Sequence, residues 1–483
     1  MPTTLNERRR ALDLPIALDP ARGATSDQVR SALRSAIVDG RLVPGLRLPS
    51  SRALAGQLQV RRNAVVAAYE HLLSDGLVEA RHGSGTFVAT ELPVPQAPDV
   101  IGSGPTLAFA PAKPFDLGHS HADPRLLVQL GNALRRRVVA AAADDLGYGD
   151  PRGSAHLRVQ IARYLATARG IRSDPDCIVV VSGTQHAIRL CLDALLRRGD
   201  KIWMEDPGYH AAQRTFRATG MRMVPVPVDD EGIDVATGLR RAPRARAAYV
   251  TPSHQFPTGV TMSMARRVAL LDWARSSGAW ILEDDYDSEF RYAGPPLTAL
   301  AGIGGERVIY IGTFTKILFA GLRTAYLVLP PALVERVVAA RAAIDRFPSP
   351  FMLDAVGDLM ADGMVAAHLR RMRLRYREAR DTLADVLAGT AGDALEVVAP
   401  TQGLHLVAYL PPGVPSSVAA EIRAVSGIAT RLISEARLSP GTRDGFILGY
   451  SGHALADVRE AASRLGDAAR RYVGGSAART GSR

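Results

Sequence analysis

The chain carries 59 lysine and arginine residues, yet lysine occurs only at Lys113, Lys201 and Lys316. Lys316 lies in GTFTKILFAGLR (312–323), followed directly by Ile317, Leu318 and Phe319. An amine among such neighbours is desolvated, which lowers its pKa and frees a nucleophilic lone pair. Arginine stays protonated and cannot replace it. A reaction that needs a primary amine, such as Schiff-base formation with an aldehyde, therefore requires lysine. Lys113, in a proline-rich connector, and Lys201, after Gly199-Asp200 at a strand entrance, read as ordinary surface charges.

Other chemically capable residues recur at the ends of short apolar runs. The runs at 176–181, 201–204, 247–250, 279–282 and 308–311 read as strands, each followed by a polar or glycine-bearing loop. Apolar strands alternating with helical stretches describe a largely parallel sheet covered by helices, whose functional loops lie at the strand C-termini. A pyridoxal phosphate site needs an amine for the aldehyde, a carboxylate for the pyridinium nitrogen and donors for the phosphate. Lys316 supplies the amine, and Asp284 or Asp285 the carboxylate. Tyr286 can donate to the ring hydroxyl, and Tyr209 offers a flat surface to the ring. Gly183, Thr184 and Gln185, at a strand–helix junction, present amides and a hydroxyl to the phosphate. Thr313, Thr315 and Arg323 can grip the same phosphate, Arg323 bidentately.

At 483 residues, two domains or more are expected. The apolar fraction of 47% and charged fraction of 22% are those of a globular protein, and the formal charge of +11 is compatible with a nucleic-acid partner. Two cysteines supply neither a disulfide framework nor a metal cluster, so no metal and a cytoplasmic setting are expected. No apolar run reaches membrane-spanning length, so no membrane partner is expected. The proline- and glycine-rich stretch 91–114 reads as a linker between a head at 24–90 and a large domain at 115–473. The tail, 474–483, is expected to be disordered.

The head reads as a helix over 26–40, then a helix–turn–helix, then a two-stranded wing. Ser50 or Ser51 caps the second helix. The third helix, 63–74, turns Val65, Val66, Tyr69, Leu72 and Leu73 inward. The N-terminal end of a recognition helix enters the major groove, and here it carries Arg61, Arg62 and Asn63. Arg52 starts the preceding helix. Arg81 and His82 enter the wing turn, where Gly83 lets the backbone approach phosphate.

The segments LPSSRALA, RRNAVVAAYEHLLSDG and GSGTFVA resemble the GntR-type winged helix over 24–90. YGDPRG, VSGTQHAI, EDPGY, TPSHQFPTG, LEDDYDSEFRY and GTFTKILFAGLR resemble fold-type I aminotransferases over about 115–470, an α/β fold with a smaller C-terminal α+β subdomain. Joined, they resemble the MocR/GabR transcriptional regulators. The resemblance implies a Schiff-base lysine at Lys316, a pyridinium carboxylate at Asp284 and a hydroxyl donor at Tyr286. It also implies phosphate contacts at Gly183, Thr184, Gln185, Thr313 and Arg323, and a homodimer in which Tyr148 reaches the neighbouring subunit's phosphate. The implied partners are an operator in double-stranded DNA and an effector, either an amine or pyridoxal phosphate itself.

Two departures bear on activity. Aminotransferases clamp the substrate carboxylate with an arginine in the small domain, and 444–450, DGFILGY, has none; Arg431 is the candidate substitute. GABA-responsive relatives carry an arginine two residues after the tyrosine of EDPGY, where this chain has Ala211. The expected function is a pyridoxal phosphate-dependent regulator that reads the cofactor or an amine; the alternative is a working aminotransferase with a DNA-binding head. A head whose large domain has lost its cofactor is disfavoured by Lys316, Asp284 and Arg323 together.

Overall fold

The computed structural model describes residues 25–81, 83–92 and 113–480, with Leu14, Ile16 and Leu18; at 144 and 474–480 it describes the backbone alone. The chain divides into two compact units, Met1–Ala110 and Pro111–Arg483.

In the first unit, helix α1 (Ser26–Val38) starts at Thr25, whose hydroxyl accepts from the Gln28 amide, and buries Val29, Leu33, Ala36 and Ile37. Helix α2 (Ser51–Leu58) is capped by Ser50, which accepts from the Ala53 amide at 3.2 Å, and ends at Gln59 in the left-handed conformation. Helix α3 (Arg62–Ser74) packs Val65, Ala68 and Leu72 inward. Leu73, expected inside, is exposed, because it lies a helical step off the face that Leu72 occupies. Strands β1 (Val78–Arg81) and β2 (Gly85–Val88) pair antiparallel as the wing.

The second unit is built on eight strands: β3 (Ile178–Val181), β4 (Lys201–Asp206), β5 (Arg222–Asp229), β6 (Gly232–Ile233), β7 (Ala247–Val250), β8 (Trp280–Asp285), β9 (Val308–Thr313) and β10 (Ala325–Val328). Their order is β3-β10-β9-β8-β7-β4-β5-β6, and the pairs from β9 across to β5 are parallel. β10 runs antiparallel between β9 and β3. The strands are apolar on both faces because helices cover both. A second sheet, β11 (Glu396–Val398), β12 (His405–Tyr409), β13 (Arg431–Leu432) and β14 (Gly445–Gly449), is antiparallel in the order β11-β12-β14-β13.

Two boundaries differ from expectation. Lys113 and Pro114, assigned to the linker, already belong to the fold: the Pro114 carbonyl accepts from Ala429 and Lys113's from Asp116. The final helix, Leu455–Thr480, continues into the tail expected to be disordered from 474, where Ser-Ala-Ala-Arg supplies good helix formers after Gly474-Gly475.

A buried polar layer supports the end of β8. Asp285 lies 2.7 Å from Nε of Arg169 and accepts from the Tyr310 hydroxyl at 2.7 Å. Arg169 also donates to Ser253 Oγ in the loop after β7. Removing one partner of a buried pair leaves an uncompensated charge, at a cost of about 3–5 kcal/mol. Arg169→Met is therefore expected to lower stability by roughly that amount, read as an earlier thermal transition than the parent's at neutral pH.

Candidate functional site

A cavity of about 850 Å³ opens where β4, β7, β8 and β9 end. Lys316 lies in a one-turn helix, Phe314–Ile317, whose first amides are met by Thr313: its hydroxyl accepts from the Thr315 amide at 3.1 Å. Burial pulls the Lys316 amine below its usual value, against the opposing fields of Asp287, Asp284 and Asp116. Gly118 (φ +93°) makes room for it, since a Cβ there would fall 2.7 Å from Nζ.

Asp284 is not past the strand, as its sequence position suggested, but its penultimate residue. It is 4% exposed. One carboxylate oxygen accepts from the buried Tyr249 hydroxyl; the other has no partner. Burial raises the carboxyl to about 7. Asp285 faces away into the Arg169 layer, and of the two carboxylates only Asp284 lines the cavity.

The opposite end of the cavity is suited to an anion. Thr184 and Gln185 open the helix Thr184–Leu195, whose N-cap, Gly183 (φ +113°), has no side chain to meet the first amides. A Cβ at Gly183 would approach the Arg323 guanidinium to 3.3 Å. Arg323 itself is held at φ +50°. The Thr315 hydroxyl and the Gln185 amide nitrogen are buried without partners. Such free amides, hydroxyls and a guanidinium at a helix N-terminus make a phosphate site.

Tyr209 and Tyr286 also line the cavity, both beside Phe256. Arg431 reaches it from the first residue of β13. Tyr148 does not: it is 82% exposed, edge-on to Phe347 at 5.9 Å with Arg346 over its ring. Sequence reasoning missed Tyr249, Gly118, Thr251, His210 and Arg214, and it treated Lys113 as a stray surface charge although it lines the same cavity. The signal for Lys113 was its rarity.

In the first unit, Arg52, Arg61 and Asn63 are exposed, and Arg62 Nε donates to Ser51 Oγ at 3.3 Å across the helix–turn–helix. Arg81 is held by Glu79 at 2.5 Å and lies over the Phe87 ring. Gly83 (φ +71°) forms the wing turn; His82 lies outside the described residues. Arg47, not singled out by sequence, bridges to Phe87 beside the wing.

Residues 25–88 match the gntR family of bacterial regulatory proteins, and residues 120–465 match aminotransferase class I and II. The probable rhizopine catabolism regulatory protein MocR of Rhizobium meliloti is 33% identical over 456 residues, 91% of this chain and 92% of that one. The chain belongs to the MocR-type regulators. The pyridoxine biosynthesis transcriptional regulator PdxR of Corynebacterium glutamicum, similar across 94% of this chain and 98% of its own length, is 30% identical. The kynurenine aminotransferase of Pyrococcus horikoshii, solved with PMP, superposes with a TM-score of 0.69 at 25% identity, covering 75% of this chain and 92% of that one. A MocR-type chain is a DNA-binding transcriptional regulator, and the cofactor of its aminotransferase-like domain is pyridoxal phosphate. The unpartnered Asp284 oxygen, Thr315 hydroxyl and Gln185 amide fit that group.

Without a cationic partner, folded Asp284 keeps a proton to about 7 that the unfolded chain releases near 3.8. Its stabilising contribution is full below the lower value and lost as pH rises through the upper one. Cofactor-free Asp284→Asn is therefore expected to lose less melting temperature than the cofactor-free parent between pH 4 and 8. Parallel curves would contradict this.

Proposed function

We propose that the chain binds an operator through its head and responds to pyridoxal phosphate, or to an amine that meets it, in the cavity of the second unit. The carrying observation is that one buried amine, one half-satisfied carboxylate and one unpartnered anion cradle line a single cavity. When bound, the cofactor supplies an aldehyde open to amines and a ring that can take up an electron pair. Lys316 provides the amine for covalent attachment. Asp284 would hold the ring nitrogen protonated, Tyr209 would face the ring, and Tyr286 would donate to the ring oxygen. Gly183, Thr184, Gln185, Thr313, Thr315 and Arg323 would hold the phosphate.

The effector is read from the cavity mouth. Lys113, Arg214 and Arg431 line it, and none of the three side chains forms an ion pair or hydrogen bond with a protein group among the described residues. Three such cations suit an amine that carries an acidic group, a sulfonate included. Because β14 offers no arginine, ordinary α-amino acids lack the usual clamp. A homodimer is supported by the large apolar side chains left exposed at Val128, Val139 (81% exposed) and Leu146, and by the exposed Tyr148, which the family resemblance places at the partner's phosphate. The charge, the gntR match and the lack of any described helix apolar enough to cross a membrane support a cytoplasmic setting.

Borohydride reduction of the protein with pyridoxal phosphate is expected to fix the cofactor covalently to the parent and not to folded Lys316→Ala, as mass spectrometry would show. An unchanged adduct in the variant refutes the assignment. Turnover of alanine, aspartate or glutamate with common keto acids is expected below roughly 1 s⁻¹, the low end for enzymes; faster steady-state rates would favour the working aminotransferase.

Arg62 and Asn63 begin α3, where side chains meet base edges. Arg62→Ala and Asn63→Ala should each weaken operator binding by about 1–3 kcal/mol while barely changing binding to a scrambled duplex at the same salt. Arg81→Ala, at the wing, should weaken both duplexes alike and flatten the salt dependence.

A further inference from the structure

His254 and Asp287 form a buried pair just behind the cavity wall. Each side chain is 1% exposed, and His254 Nδ1 lies 2.9 Å from Asp287 Oδ2. The same Asp287 oxygen accepts from the Leu404 amide at 3.2 Å, which marks it as an acceptor. A carboxylate only accepts; Nδ1 must therefore carry the imidazole proton. The Tyr286 hydroxyl oxygen lies 3.2 Å from that same Nδ1. The N–H is thus shared between the carboxylate and the phenol oxygen, and the phenol accepts there. Its own proton is not spent on His254.

The imidazole is held in this orientation from several sides. Gly403 (φ +95°) would place a Cβ 2.0 Å from His254 Cε1, and Gly259 (φ +80°) one 3.3 Å from Nε2. The His405 ring packs at 4.9 Å, fixed by its own Nε2 to the Pro257 carbonyl at 3.0 Å. His254 Nε2 is buried without a partner, which fits a neutral ring protonated at Nδ1.

We propose that His254 and Asp287 are positioning residues that orient Tyr286, so that its phenolic proton is directed into the cavity toward the cofactor ring oxygen. Neither lines the cavity; apart from the field of Asp287 on Lys316, they act through Tyr286. The inference rests on the cavity being the pyridoxal phosphate site. The charged groups around the phenol, Asp284, Asp285, Asp287 and Glu205, add to burial in raising its pKa well above the ordinary value, so Tyr286 stays a donor at neutral pH.

The test is a double-substitution cycle on cofactor-loaded, full-length protein, following the visible absorbance of the bound cofactor against pH. Parent, Tyr286→Phe, Asp287→Asn and the double variant are compared, with borohydride trapping at Lys316 reporting loading in each. Tyr286→Phe and Asp287→Asn are each expected to move the absorbance midpoint, by on the order of tenfold in proton affinity (about one pH unit). In the Tyr286→Phe background, Asp287→Asn should add a clearly smaller shift than in the parent, the remainder being the direct field of Asp287 on the Lys316 amine. An equal shift in that background overturns the proposal, as does no shift in fully loaded Asp287→Asn. If Asp287→Asn does not fold, His254→Gln takes its place under the same criteria. A parent that traps no cofactor overturns the site reading, and this proposal with it; normal trapping with an additive cycle overturns this proposal alone.

Discussion

The second unit buries two polar groups that it does not satisfy fully by itself. Asp284 spends one oxygen on Tyr249 and leaves the other without a partner, and the Lys316 amine is desolvated opposite it. A buried polar atom left unsatisfied costs about 1–3 kcal/mol. A fold built only for stability would replace both groups with apolar ones. Their presence makes sense if a ligand completes them. The parallel sheet is what makes the arrangement possible, because it delivers Asp284 from β8 and Thr313 from β9 to one edge, with Lys316 one helical turn further on. Behind that edge, the Arg169–Asp285 pair and the Tyr310 hydroxyl keep β8 in register with its neighbour.

The chain that continues from the head runs into this cavity. Phe115 is fully buried, and its carbonyl accepts from Gly449. Gly118 abuts the Lys316 amine, and the Ser120 hydroxyl donates to the Lys316 carbonyl at 3.0 Å. Lys113, two residues before Phe115, lines the cavity mouth. A group that fills the cavity therefore contacts the stretch of chain that is covalently continuous with the DNA-binding head. Occupancy would have a physical route to DNA affinity through this segment if filling the cavity changes the segment's contacts.

Much of the site was legible in the sequence because its chemistry is local. A lysine in a lysine-poor chain, a glycine-opened helix after an apolar strand and Asp-Asp-Tyr at the end of another each carry their signal within a few residues. The head was legible for the same reason: caps and glycine turns mark its elements, and only Leu73 was placed on the wrong face. What escaped depends on long-range packing. Tyr249 meets Asp284 only because β7 pairs with β8. His254 and Asp287 meet across the loop after β7 and the segment after β8, with Gly403 closing from before β12. The antiparallel β10 gives no sign in a run of apolar residues, and the choice between Asp284 and Asp285 turns on which carboxylate Arg169 takes.

If the head reads occupancy of the Lys316 cavity, the cofactor must change DNA affinity. The direct measurement is the fluorescence anisotropy of a labelled duplex from the DNA upstream of the protein's own gene, titrated with parent and Lys316→Ala at fixed salt, with and without pyridoxal phosphate. The account predicts that the cofactor changes the parent's Kd by about fivefold or more, the usual lower range of allosteric coupling, and leaves the variant's Kd unchanged. Equal Kd values for the parent in both conditions, with the cofactor shown to be bound, would contradict it.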